Sequence, residues 1–197
     1  MSEQRDRMVS GQPYLASDPD LIADYRRCQL LLERFNALSM TERDSQTALL
    51  QEMLAELGED THIRAPLRIE YGYMLWVGAR TFINNEALII DCAPVRIGSD
   101  VQIGPRVQLL TPTHPLDPAV RKTGWEAAAP ITVEDGVWLG GGVIVRPGVT
   151  IGANTVVGAG SVVSRDLPPN VIAVGNPARV QREVPTGGRT EGIPEPW

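Results

Sequence analysis

Residues 131–164 read ITVEDGVWLGGGVIVRPGVTIGANTVVGAGSVVS. Aliphatic side chains stand at Val133, Leu139, Val145, Ile151, Val157 and Val163, every step being six. An α-helix cannot keep such a period on one face, and a half-buried strand alternates with period two. A short strand and a turn, repeated, can keep it, and three such units close a triangular coil of about 18 residues. Outward from this stretch, Ile97, Ile103 and Leu109 share the register. The 24 residues from Leu109 to Val133 are four steps of six, so a longer excursion is folded into them, assigned to residues 115–129. Val77, Ile83 and Ile89 repeat by six, as do Ile63 and Ile69, while the joins 69 to 77 and 89 to 97 are eight, a slip of two. Four residues after most of these positions comes a second small or aliphatic residue: Val101, Val107, Thr113, Val137, Val143, Val149, Thr155, Ser161. Gly, Asn and Asp supply the turns. The chain is therefore expected to be mostly β, a solenoid with one inward aliphatic column per face.

The preceding residues carry a different period. Over 18–57 the pattern predicts two helices. Asp18 is the expected N-cap of the first, with Pro19 in its first turn and a stripe of Leu21, Tyr25, Cys28, Leu32 and Phe35. Thr41 is the expected N-cap of the second, with Asp44 completing a capping box, a stripe of Leu50, Met53, Leu54 and Leu57, and Gly58 as the stop. The layout is a helical cap over 1–60, a repeat domain over 61–184 and a Pro/Gly-rich tail over 185–197.

Composition narrows the function classes. Of 197 residues, Gly (19) and Pro (16) are enriched enough for many turns but not for a collagen-like chain. The formal charge of −6 sits entirely in residues 1–60, which argues against a nucleic-acid partner. Cys28 and Cys92 make neither a disulfide framework nor a zinc pair. Neither a signal-peptide core nor an apolar run of membrane-spanning length is visible, so a cytoplasmic setting is expected.

Chemistry is expected where the repeat breaks. His114 ends the segment QLLTPT and opens the excursion with THPLDP. A side chain at the root of a loop on a rigid scaffold is well placed for catalysis, and imidazole can accept a proton at neutral pH. The other histidine, His62, lies at the helix-to-coil junction and reads as structural or solvent-facing. A three-histidine zinc enzyme is excluded with only two histidines, and a bare scaffold needs neither His114 nor the excursion.

The motifs Tyr71-Gly72-Tyr73, Ala87 to Asp91, Thr113-His114-Pro115-Leu116-Asp117 and Gly175-Asn176-Pro177-Ala178-Arg179, with the preface Gly11, Tyr14 and Asp18-Pro19-Asp20-Leu21, resemble the maltose/galactoside/nodulation O-acetyltransferase family. The resemblance covers roughly residues 5–184 and implies a left-handed parallel β-helix of hexapeptide repeats. It also implies a homotrimer with active sites between neighbouring coils, and transfer of acetyl from acetyl-CoA to a sugar-like hydroxyl. His114 is then the general base for direct attack, and no metal is required. Glu70, Phe82, Asn84, Glu126 and Trp138 are the implied acceptor contacts. Asn84, Trp138, Gly141, Ala159, Gly160, Ser164, Arg165, Arg179 and Arg182 are implied for the donor, the arginines for its phosphates. Asp91 is expected to orient loop backbone. Cys92, Ala16 and Asn85-Glu86 depart from the galactoside pattern, which leaves an antibiotic, an amino sugar or another small alcohol as alternative acceptors.

Overall fold

The computed structural model describes residues 2–187; residues 188–197, most of the expected tail, lie outside the described residues. Four helices, α1 (Glu3–Val9), α2 (Pro19–Ala37), α3 (Arg43–Met53) and α4 (Pro118–Arg121), accompany a parallel β-helix of three faces. The first face stacks Glu56–Leu57, Leu75–Val77, Val95–Ile97, Ile131–Val133 and Thr150–Ile151. The second stacks His62–Ile63, Phe82–Ile83, Gln102–Ile103, Trp138–Leu139, Val156–Val157 and Val171–Val174, then turns back through antiparallel Arg179–Glu183. The third stacks Leu67–Ile69, Ala87–Ile90, Gln108–Leu110, Ile144–Val145 and Val162–Val163.

The hexapeptide register is the pairing register. Val133 pairs with Ile151, Leu139 with Val157 and Val145 with Val163, all buried and 18 residues apart. Val77 pairs with Ile97, Ile83 with Ile103 and Ile69 with Ile89, 20 residues apart. The two-residue slip thus widens the lower coils at one corner, between the third and first faces. There Asp91 is fully buried and accepts N–H bonds from Tyr71 (2.8 Å) and Met74 (3.3 Å), the backbone-orienting role expected of it. Burial pushes its carboxyl up to about 7. One coil above, Thr111 donates to the Ile90 carbonyl (2.6 Å) and receives the Ala93 N–H (3.2 Å). From Thr111 the chain leaves the stack as a hairpin and returns at Ala129, whose N–H bonds the Thr111 carbonyl (2.9 Å). Thr113, though four residues past Leu109, is therefore exposed instead of turning inward.

The helical segment departs from expectation in four places. Asp18 does cap α2, accepting N–H bonds from Asp20 and Leu21, with Pro19 in the first turn. In the stripe, however, Tyr25 is exposed and Leu31 takes a buried place. The N-cap of α3 is Glu42, without a side-chain cap bond; Thr41 instead contacts Ser39 and the Glu42 carboxylate receives the Ser39 N–H. Helix α3 ends at Met53, because Glu56–Leu57 already forms the first strand and pairs with Trp76 and Val77. Helix α1 has no counterpart among the expected helices.

Two cores result. The main one runs through the solenoid into α2 and α3, via Cys28, Leu32, Phe35, Leu50 and Met53. Helix α2 also seals the lowest strand of the third face: Asn36 accepts the Leu67 N–H (2.8 Å) and donates to its carbonyl (2.9 Å), and Gln29 donates to Ile69 (2.9 Å). The second core lies under the hairpin and joins Met8, Tyr14, Leu21, Tyr71 and Cys92. No helix among the described residues is long and apolar enough to cross a membrane.

Candidate active site

The wide corner builds the first half of the site. Its hairpin pairs Pro112–Thr113 with Trp125–Ala128, and the outer strand pairs in turn with Tyr14–Leu15, opposing Tyr14 to Glu126. Arg7 on α1 fastens this sheet, its guanidinium 5.3 Å from the centre of the Trp125 ring and its Nε donating to the Pro13 carbonyl (2.6 Å). His114 stands at the root with its side chain 57% exposed, and its Nδ1 lies 3.5 Å from Oε2 of Glu126, whose side chain is only 14% exposed. These two residues line a small apolar pocket with Pro13, Thr113, Pro115 and Trp125. Glu70 joins them from the lowest coil of the corner. Burial, and then the Glu126 carboxylate, pushes its carboxyl above the ordinary range.

Below the hairpin the Tyr14 hydroxyl is buried without a hydrogen-bond partner among the described residues, and its pKa is driven up by burial and by nearby Cys92 and Glu126. Tyr14 is thus part of the floor. Burial pushes the Cys28 and Cys92 thiols up to about 12, so neither is a ready nucleophile. Ser164 and Arg165 continue the same corner upward, directly after Val163 of the top strand of the third face.

The remaining implied site residues lie elsewhere on the prism. Phe82 and Trp138 share one outward column of the second face, with Gln102 between them. Trp138 is half exposed, which fits a ligand contact and not core packing. Asn84, Gly141, Ala159 and Gly160 occupy the corner between the second and third faces, and Arg179 and Arg182 lie on the antiparallel strand above the second face.

The three consecutive glycines at that corner divide by cause. A Cβ on Gly140 would stand 2.5 Å from the Ala159 nitrogen of the next coil, so coil stacking requires that glycine. Gly142 has φ +69°, which the turn requires. Gly141 has no positive φ, and the nearest atoms to its Cβ would be those of Pro105, in ordinary contact at 3.4 Å. Neither stacking nor backbone conformation explains its missing side chain, whereas a ligand lying along the corner would. Within one chain, then, His114, Glu126 and Glu70 come together, and Phe82, Asn84, Trp138 and Gly141 come together, but on different sides. His62, read as structural or solvent-facing, lies in the Phe82 column and stacks on its ring. Only its distance of 20 residues from Phe82, one coil of the lower stack, marked it in the sequence. Among the described residues no group of three His, Cys, Asp or Glu is arranged to hold a metal.

Residues 7–58 match the family described as the maltose acetyltransferase hexapeptide capping motif, and residues 130–165 match the bacterial transferase hexapeptide repeats. The chain is 41% identical to nodulation protein L of Rhizobium meliloti over 90% of its own length and 97% of that protein's. Its fold superposes on a maltose O-acetyltransferase from Clostridium difficile with a TM-score of 0.92 at 37% identity, covering 94% of this chain and 99% of the other. A galactoside acetyltransferase in complex with coenzyme A gives a TM-score of 0.89 at 36% identity, covering 94% and 92%. The chain belongs to the maltose/galactoside/nodulation group of hexapeptide-repeat acetyltransferases.

Proposed function

We propose, with that membership as the premise, that this acetyltransferase moves acetyl from acetyl-CoA to a hydroxyl of a sugar-like acceptor, with His114 as general base. One observation carries the assignment. His114 is the half-exposed imidazole at the root of the hairpin, and its Nδ1 faces a nearly buried carboxylate. Glu126 on that side favours the tautomer that carries the proton on Nδ1, leaving Nε2 free as the acceptor. Nε2 takes the hydroxyl proton as the oxygen attacks, Glu126 on the Nδ1 side steadies the imidazolium, and Nε2 gives the proton to the departing sulfur. One C–O bond forms, one C–S bond breaks, and the imidazole ends neutral. Acetyl-CoA supplies the electrophilic thioester when bound. Gly141, Ala159 and Gly160 leave room for its thin arm, Trp138 covers it, and Ser164, Arg165, Arg179 and Arg182 are the groups assigned to its outer end. Glu70, Glu126, Phe82 and Asn84 hold the acceptor.

The division of these residues between two sides of one chain is understood if two copies complete each site. The outward column of the intervening third face runs Arg68, Leu88, Gln108, Ile144 and Val162, apolar at Leu88, Ile144 and Val162 with an amide between, a surface on which copies could meet about a threefold axis. The assembly is then a homotrimer in the cytoplasm, with an active site at each of its interfaces.

Co-expression of His114→Ala chains with Asn84→Ala chains tests this reading. Each variant alone should be nearly inactive. Random trimers of the two should regain about a quarter of wild-type sites, the share in which an intact His114 faces an intact Asn84. Light scattering should give about three times 21.4 kDa. A mixture no more active than its parents, or a monomer, would sink the shared site.

A further inference from the structure

Below Phe82 the second face continues for one more coil. His62 is the lateral partner of Phe82, and the two rings stack with centroids 6.0 Å apart and 16° between their planes. The Arg64 guanidinium lies 5.1 Å from the Phe82 centroid. Beneath His62 there is no further coil; α3 crosses instead and leaves a cleft of about 210 Å³. Arg43, Gln46, Thr47, Asp60, Thr61 and His62 supply its polar lining. Two of these are occupied internally: Gln46 donates to the Ser39 carbonyl (3.2 Å) and Thr61 to the Gly78 carbonyl (2.6 Å). The other four are not. Among the described residues neither Arg43 nor Asp60 has an ion-pair partner, and no hydrogen bond takes up the Thr47 hydroxyl or the His62 ring nitrogens.

We propose that this cleft is a second glycosyl subsite, so that the acceptor is an oligosaccharide whose reacting unit lies on Phe82 and whose next unit lies on His62 against α3. The inference rests on the sugar-acceptor reading above and extends it by one residue of the acceptor. Three features carry it. The cleft is joined to the acceptor wall by the His62 ring, which lines the cleft and stacks on Phe82, so an acceptor that follows the column downward passes from one to the other. Its size is below the ~300–1000 Å³ typical of pockets that swallow a drug-sized ligand, and suits one ring-sized unit. Its free groups are one cation, one anion, one hydroxyl and one imidazole, a balanced set of donors and acceptors that fits a neutral polyol better than an anion. Burial, then the charges of Arg43 and Arg64, push the His62 imidazole below its ordinary range, so at neutral pH it offers one donor and one acceptor.

The test measures kcat/KM, by thiol release from acetyl-CoA, on glucosyl acceptors of one, two and three units in both α-1,4 and β-1,4 series. Wild type should gain about tenfold between one unit and two in the productive series and little from the third. The double variant Arg43→Ala, Asp60→Asn should erase that gain while turnover of the one-unit acceptor stays within about twofold. Asn is chosen because Asp60 has φ +55°, which Asn tolerates. Thr47→Ala, an exposed position, gives a second variant that should lose part of the gain if the double variant does not fold. An active wild type with no length dependence, or variants that lose activity equally on every length, overturns the subsite alone. Failure to acetylate any member overturns the sugar-acceptor reading and the subsite with it.

Discussion

The corner that carries His114 and the face that carries Trp138 are built by opposite means. At the corner the coil is interrupted: two residues are added in each lower turn, then a whole hairpin, and the irregular backbone needs its own small core and an N-terminal strand to hold it. On the face nothing is interrupted. His62, Phe82, Gln102 and Trp138 sit at equivalent outward positions, one strand spacing of about 4.8 Å apart. Only their side chains differ from an ordinary solvent face. A repeat can therefore acquire chemistry by breaking its geometry, which frees a group such as an imidazole, or by keeping it and varying what points outward, which lays down an extended binding track. On the proposed function, the first half should depend on one residue in one place and the second should tolerate loss in increments.

The largest effect that would follow is at the corner. His114→Ala should lower turnover by roughly two to four decades while thermal unfolding and acetyl-CoA affinity stay close to wild type, since the inward columns are untouched. Near-normal turnover with the chemical step shown to be rate-limiting would remove the contrast altogether. On the glycine corner the contrast sharpens within two adjacent residues. Gly140→Ala forces a Cβ against the backbone of the next coil and should destabilise the fold by about 1–3 kcal/mol in urea titration. Gly141→Val should leave the unfolding midpoint nearly unchanged and raise the acetyl-CoA KM about tenfold. If both act on stability alone, the small residues serve stacking and nothing else.

The smallest effect is a pH slope. Asp91 has its folded-state pKa raised to about 7, against about 3.9 for an unfolded aspartate. The folded state therefore holds the proton more tightly. The associated stability is full below about pH 4 and is lost as pH rises through about 7. Asp91→Asn removes that titration, so wild type should lose stability relative to the variant between pH 4 and 8. Parallel curves would mean that the wide corner does not strain its carboxylate.

The inward columns, the two-residue slips and the place of the excursion were legible, because a buried aliphatic every six residues leaves no other period to choose; that the excursion begins as a hairpin was not. The misplaced end of α3 came from the same signal read too late. Leu57 is six before Ile63, so it begins the repeat, yet it also continues the helical stripe of Leu50, Met53 and Leu54. Helix α1 and the strand Tyr14–Leu15 were invisible because their partners are the hairpin and the second core, which no local pattern announces. The place of His114 at the root of the hairpin was legible from the break in the repeat. That the candidate residues fall on two sides was also latent in the repeat: Phe82 and Trp138 belong to strands of the second face, whereas Glu70 and Ser164 directly follow strands of the third.

The amides of Asn36 and Gln29 on the lowest strand have one more consequence. A parallel β-helix offers at each end a row of unpaired peptide groups, to which another copy could add head to tail without closing, as in a growing filament. At the bottom Asn36 and Gln29 bond peptide groups at Leu67 and Ile69, and α2 lies across the opening. At the top the reversed strand Arg179–Glu183 pairs with Val171–Val174 in the direction that a stacking coil could not use. Side-chain bonds at the bottom and a reversed strand at the top thus cover part of each end, which disfavours stacking of copies along the axis.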